Sequence, residues 1–331
     1  MNKPLSAGDK RDWAQLMHTL ILDGLMQDSA WTKQELVFHG GTSLHLSWGS
    51  PRFSEDLDFL LSRLEADKLD QVMSRVMRRT QRHLTTVDPS LQLEMKKRKT
   101  GDDPASRMAD YHFLVSKPGV LGKAMVKAEF WKVDPNYLAG YASVFRTPIE
   151  KGDLIGRVSP MPVPAATLES ALADKMVAFA TRPFLKWRDL FDVWWIRGRA
   201  LALEGDESNA AASVLTGADP ERFLHHLSAY TTVEGLPPSG ALRRFADDLT
   251  DREAAILKAA ETDLKPFLPP TLWERLYPDE VAEMLRLSQR LARNLADRVE
   301  ALGLDARYVP PHAPELPGPP GPSGPSGPSG P

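Results

Sequence analysis

Apolar residues recur at helical spacing over residues 8–28 (Trp13, Leu16, Met17, Leu20, Leu25), which predicts an amphipathic first helix. A short segment over 33–38 then runs into His39, Gly40 and Gly41, so Leu36-Val37-Phe38 reads as a strand or a helix end entering a tight turn. Thr42 or Ser43 is placed to cap a helix through residues 44–48, and Gly49-Ser50-Pro51 ends it. Asp56-Leu57-Asp58-Phe59-Leu60 alternates as a strand does. Residues 65–84 form a basic amphipathic helix. Residues 91–98 and 107–116 form a hairpin around the turn signal Thr100-Gly101-Asp102-Asp103-Pro104, and 124–133 a third strand.

After a Pro-rich connector over 159–164 the pattern turns helical and stays so to about residue 303. Helices are expected at 168–181 and 187–197, separated by Arg182-Pro183, then near 220–230, 240–262 and 279–302. This order predicts an α+β protein: an α+β domain with a small mixed sheet over 1–158, a helical domain over 159–308, and a Pro/Gly-rich tail over 309–331. The tail repeats Gly-Pro-Ser three times, too few triplets to hold a collagen helix, and reads as disordered or as a cloning remnant.

Composition narrows the class. Of 331 residues, 42% are hydrophobic and 26% charged, as in a folded soluble protein, and no apolar run reaches the length of a bilayer span. The N-terminus lacks the apolar stretch of a signal peptide, so a cytoplasmic location is expected, with no membrane contact. The absence of cysteine removes disulfides, thiolate zinc sites and cysteine nucleophiles. A net charge of −3 confines any nucleic-acid surface to a local patch.

The chemistry gathers between residues 39 and 58. Gly40 and Gly41 let a backbone approach phosphate oxygens, and the helix that follows, with Thr42 or Ser43, offers N–H groups to the same anion. Asp56 and Asp58, two apart on a strand, point to one face and suit a hard divalent cation, Mg²⁺ or Mn²⁺, beside a triphosphate. Arg52 and Ser54 just precede them: Arg52 is placed to orient the loop or a phosphate, Ser54 to cap the acidic turn or line the site. A third carboxylate from a neighbouring strand is expected; Glu129 fits best and Asp110 next. Gly-Gly alone is an ordinary turn, and Asp-x-Asp alone an ordinary solvated strand face. Their order and spacing together favour a site for a metal-bound triphosphate, as an NTP would supply.

His39-Gly40-Gly41-Thr42-Ser43-Leu44 followed by Arg52-Phe53-Ser54-Glu55-Asp56-Leu57-Asp58 resembles the AbiEii/AbiGii toxin family of nucleotidyltransferases, which includes the MenT toxins. A second block is also similar: Ala173-Asp174-Lys175-Met176 with Ala178, then Arg188-Asp189-Leu190-Phe191-Asp192. The resemblance spans residues 35–197. It implies a polymerase-β-like core, Asp56 and Asp58 as metal ligands, and Lys175 and Asp189 as active-site residues. It also implies a tRNA 3′ end as acceptor, a cognate antitoxin as partner, and a role in a toxin–antitoxin or phage-defence system. His39 departs from the pattern, which usually has lysine there, so no phosphate-binding charge is carried onto it.

Lys175 lies in the apolar stripe of Leu168, Leu172, Met176 and Phe179. Either its stem packs while its head reaches an anion in a cleft, or it snorkels at the stripe's edge. On the next helix Asp189 is the expected partner of Lys175, nucleotide or metal, whereas Asp192 forms either a helix pair with Arg188 or part of the site. Trp187, Trp194 and Trp195 read as core. Nine Lys/Arg over residues 68–99 (Lys68, Arg75, Arg78, Arg79, Arg82, Lys96, Lys97, Arg98, Lys99) make a basic strip suited to RNA, though Lys96–Lys99 equally fit a solubilising edge strand. A small-molecule nucleotidyltransferase and a non-catalytic NTP-binding protein are the alternatives.

Overall fold

The computed structural model describes residues 3–62, 66–98, 108–149, 160–203, 214 and 217–311. The first helix, α1 (Ala7–Asp28), begins at Ser6, whose hydroxyl accepts from the Asp9 N–H and satisfies one of the open donors of the first turn. Strand β1 (Lys3–Pro4) precedes it and pairs with β6 (Val120–Leu121) in a small separate sheet that sequence periodicity gave no sign of.

The main sheet has seven strands among the described residues: β2 (Leu36–His39), β3 (Asp56–Leu61), β4 (Gln92–Arg98), β5 (Met108–Ser116), β7 (Ala124–Lys132), β8 (Ser143–Arg146) and β9 (Val163–Ala166). Their spatial order is β4-β5-β7-β3-β2-β9-β8. The pairs β3–β7 and β2–β9 are parallel and the rest antiparallel, so the sheet is mixed, as expected. The β4–β5 hairpin forms; its anticipated turn over 100–104 lies outside the described residues, as do Lys99 and the tail from residue 312 onward.

Alternation along β3 sends Leu57, Phe59 and Leu61 to one face and Asp56, Asp58 and Leu60 to the other. The first set joins a core with Leu16, Leu20 and Ile21 of α1 and with Leu69, Met73 and Val76 of α3 (Ala66–Val87), so both helices cover that face. The second face is left to chemistry and to a small cluster in which Leu60 and Val37 meet Tyr137 and Leu138 of α4 (Pro135–Gly140) and Tyr141.

The remaining helices build a core of their own: α5 (Leu168–Thr181), α6 (Trp187–Leu201), α7 (Pro220–Leu227), α8 (Pro238–Asp251), α9 (Glu253–Asp263), α10 (Pro270–Leu276) and α11 (Asp279–Ala301). The single helix expected over 240–262 is two, divided at Arg252. Trp187, Trp194 and Trp195 do pack in this core, and the Trp187 indole donates to the Ile256 carbonyl at 2.7 Å. Strand β9 falls on the helical side of the anticipated boundary at residue 158 and pairs with β2 in the sheet. Helix α2 (Gly40–Trp48) sits at the seam: Leu46 belongs to the sheet core, and Leu44 and Trp48 to the helical core.

Candidate active site

The acid-bearing face is ordered by strand register. One row runs Arg98, Asp110, Glu129, Asp58, His39 across β4, β5, β7, β3 and β2. The next runs Lys96, His112, Lys127, Asp56. Glu129 therefore stands beside Asp58 in the position expected of a third carboxylate. Burial, with Asp58 and Asp56 close by, pushes its carboxyl up to about 7. Asp58 is raised too, by burial and then by Asp56, against the opposing charges of His39 and Lys175. One strand further out, Asp110 is 3% exposed; Oδ2 accepts from His112 at 3.0 Å and Oδ1 is buried without a partner.

The double glycine meets these acids directly. Gly40 has φ +75°, a left-handed conformation, and a Cβ there would collide with Asp58 Oδ2. A Cβ on Gly41 would collide with Arg52 Nη2 and come within 3.1 Å of Ser54 Oγ. The missing side chains thus admit a carboxylate and a guanidinium of the chain itself, beside the start of α2, which has no capping side chain.

The cap role expected of Thr42 or Ser43 does not hold, and neither residue lines the cavity. The helix begins two residues earlier, at Gly40, so both hydroxyls fall inside it and bond backwards: Thr42 donates to the Asp56 carbonyl, and Ser43 donates to the Phe38 carbonyl at 3.1 Å. Both are buried and tie α2 to the neighbouring strands.

Across a cavity of about 380 Å³, α5 and α6 supply the opposite wall. Lys175 Nζ lies 2.7 Å from both Asp189 and Asp192, 11% exposed, with its stem in the apolar stripe. Burial alone would lower its ammonium, but the two carboxylates outweigh that and raise it. Burial works against the Asp189 carboxylate in the same way, yet Lys175 and then Arg182 bring it down to about 2. Asp192, wholly buried, is not the helix-surface partner of Arg188. It accepts two bonds from Arg52, at 2.8 and 2.9 Å, across 140 residues of sequence, while Arg188 packs over the Phe267 ring. Arg52 is thereby an anchor of the loop before β3, bound side-on to α6.

Two further residues of the wall, Arg182 and Lys186, had no sequence signal. Arg182, Lys186 and Arg188 line the cavity together, drawn from the α5–α6 connection and the first turn of α6. A second unanticipated feature is Asp174, which accepts from His226 at 2.8 Å and from Tyr141 at 2.6 Å and lies 3.4 Å from His39. Burial would raise Asp174, but the two histidines hold it low. His39 is raised above its ordinary value because Asp174, with Asp58 behind it, outweighs the effect of burial.

The basic strip divides. Helix α3 packs on the sheet face opposite the acids, with Arg75 paired to Asp28. Lys97 faces the same way and binds Asp70. Among the described residues of the strip, only Lys96 and Arg98 share the acid face, and Lys96 bonds Glu94 at 3.1 Å.

A divalent cation fits this donor set in one particular manner. Among the described residues no three acids or histidines already converge on a single point. The acids are nonetheless stacked, with an orphaned Asp110 oxygen and a Glu129 raised by burial and then by its like-charged neighbours, and a bound cation would offset that repulsion. Such a set suits a cation shared between two carboxylates and a substrate's phosphates.

Stacked acids suited to a cation, an uncapped helix end and a cationic wall around one cavity are the parts a nucleotidyltransferase needs. The match to the AbiEii nucleotidyl transferase toxin family of type IV toxin–antitoxin systems runs over residues 21–286, and the chain belongs to that family. Among solved structures it is similar to JHP933 from Helicobacter pylori, at 18% identity and a TM-score of 0.46, covering 92% of this chain and 99% of that one. It is also similar to MenT4, a nucleotidyltransferase toxin from Mycobacterium tuberculosis H37Rv, at 18% identity and a TM-score of 0.46, covering 89% and 93%. No curated protein matches. No helix among the described residues is long and apolar enough to cross a membrane.

Proposed function

We propose that this chain moves a nucleoside monophosphate from an NTP to an acceptor hydroxyl in a reaction that depends on Mg²⁺ or Mn²⁺. The observation that carries the reading is that Asp56, Asp58 and Glu129 face Gly40, Gly41 and Lys175 around one cavity. Asp56 and Asp58, with Glu129, would hold the cation, which neutralises charge on the reacting phosphate when bound. The acceptor oxygen forms a bond to the α-phosphorus as the bond to the bridging oxygen breaks. That electron pair leaves with pyrophosphate, and the hydroxyl proton passes to a carboxylate of the acidic wall. Gly40, Gly41 and Ser54 would border the phosphates. Lys175 would oppose their charge, Asp189 would keep its ammonium in place, and Arg52 would hold the loop that carries Ser54.

The acceptor we infer is RNA, a tRNA 3′ end as the resemblance to MenT-like members implies, acting in the cytoplasm and restrained by a cognate antitoxin. Supporting this, the outer strand β4 presents Lys96 and Arg98 in the rows that lead to Asp56 and Asp58. A phosphate backbone crossing the strands along those rows would bring its end to the acids. Incubating the chain with labelled NTPs, Mg²⁺, total RNA and a small-metabolite fraction tests the reading. Label in tRNA is the expected result. Label in a small molecule would make this an antibiotic-type transferase, and NTP binding without transfer would make it a binding protein.

A further inference from the structure

We propose that Lys186, together with Arg182 and Arg188, seats the two outer phosphates of the nucleotide and then the pyrophosphate they become. The inference rests on the nucleotidyltransferase reading above; of the three residues only Arg188 falls within the motif blocks, where it carries no assigned role.

The argument starts from charge. Five cationic side chains, Arg52, Lys175, Arg182, Lys186 and Arg188, gather on the helical side of the cavity. Three carboxylates, Asp174, Asp189 and Asp192, share those helices, which leaves an excess of two positive charges, and Asp174 is itself engaged by His39 and His226. The carboxylates are committed: Asp192 to Arg52 and Lys175, Asp189 to Lys175 and Arg182. Lys186 and Arg188 have no carboxylate partner among the described residues, and their cationic groups lie over the rings of Phe184 and Phe267. Lys186 is half-buried, and burial followed by the charge of Arg182 lowers its ammonium, so the cluster repels itself until an anion arrives.

Position supports the same assignment. Lys186 immediately precedes α6, whose first turn has no capping side chain, so open N–H groups and the positive end of the helix add to the cationic wall. Opposite it, Asp56, Asp58 and Glu129 repel any phosphate not bridged by a cation. A triphosphate whose α-phosphate lies at the acids therefore finds its stabilising partners for the outer phosphates only on the α5–α6 side. A monophosphate gains nothing from Lys186, whereas free pyrophosphate gains nearly as much as the triphosphate does.

The test uses the full chain and three probes: the magnesium complexes of the four NTPs, the matching nucleoside monophosphates, and inorganic pyrophosphate. Lys186→Gln, which keeps the aliphatic stem, is expected to weaken NTP and pyrophosphate binding about tenfold, one charge-assisted hydrogen bond's worth. Monophosphate affinity and the thermal midpoint should stay as in the unmodified chain, and Lys186→Arg should restore most of the loss. Unchanged NTP and pyrophosphate affinity in Lys186→Gln, or an equal loss for monophosphates, would overturn this inference while leaving the proposed function intact. An unmodified chain that binds none of the four NTPs would overturn both.

Discussion

Removing the Asp192 carboxylate should unfold this protein far more readily than its place on a helix with Arg188 four residues away suggests. The side chain is fully buried and accepts from Arg52, itself 3% exposed, at 2.8 and 2.9 Å, while Lys175 approaches to 2.7 Å. Asp192→Ala leaves the Arg52 guanidinium uncompensated in a dry setting and deprives Lys175 of one of its two anions. Breaking a buried pair from one side costs about 3–5 kcal/mol, against roughly 0.3–0.5 for a surface helix pair, so the two readings differ by about an order of magnitude. Urea unfolding followed by tryptophan fluorescence measures the difference. Arg52→Met alone should be comparably harmful. The double variant Arg52→Met/Asp192→Leu should regain at least about 2 kcal/mol relative to the sum, because an apolar pair replaces a charged one at similar volume. A loss under about 1 kcal/mol for Asp192→Ala, or simple additivity in the double variant, would refute the buried anchor.

Further outcomes follow from other parts of the fold. Gly40→Ala places a methyl against Asp58 and forces an L residue to φ +75°, costing about 1–2 kcal/mol and nucleotidyl transfer at least tenfold; circular dichroism and a pyrophosphate-release assay read the two effects separately. His18 Nε2 donates to the Glu55 carbonyl at 2.9 Å, and burial lowers its pKa from 6.5 to about 4. The unfolded chain therefore binds the extra proton first. Stability is full above pH 6.5, falls by about 3 kcal/mol as pH drops from 6.5 to 4, and levels below that; His18→Gln should flatten this window in a pH series of urea midpoints. Arg78→Ala and Arg82→Ala, on the helix behind the sheet, should leave NTP affinity within about twofold by titration calorimetry.

What the sequence disclosed and what it hid follow from range of interaction. Gly-Gly and Asp-x-Asp were visible because their geometry is local: a bend without Cβ atoms and two side chains on one strand face. Their meeting was foreseen only through spacing, and the structure places Asp58 against Gly40. Thr42 and Ser43 misled because a capping rule assumes the helix starts at a polar residue, whereas the left-handed Gly40 let it start earlier. Asp192 misled for a different reason. The i, i+4 rule offers Arg188, but a buried carboxylate takes the partner that shares its burial, and Arg52 is 140 residues distant. Strand β9 contains Pro164 and is paired to β2 at the Phe38–Ala165 register, a contact that composition disguises as a connector. Arg182 read only as a helix separator and Arg188 only as part of a motif, since a cluster of like charges has meaning only once the opposite wall is known.

Nucleotide turnover by Asp58→Asn tests the whole account most directly, because the substitution keeps the shape beside Gly40 and removes only the charge. With Mg²⁺, a labelled NTP and total tRNA, the unmodified chain should release pyrophosphate and label the RNA, while Asp58→Asn, folded as judged by its urea midpoint, should lose at least a thousandfold in rate. Transfer by Asp58→Asn at a rate near that of the unmodified chain would contradict it.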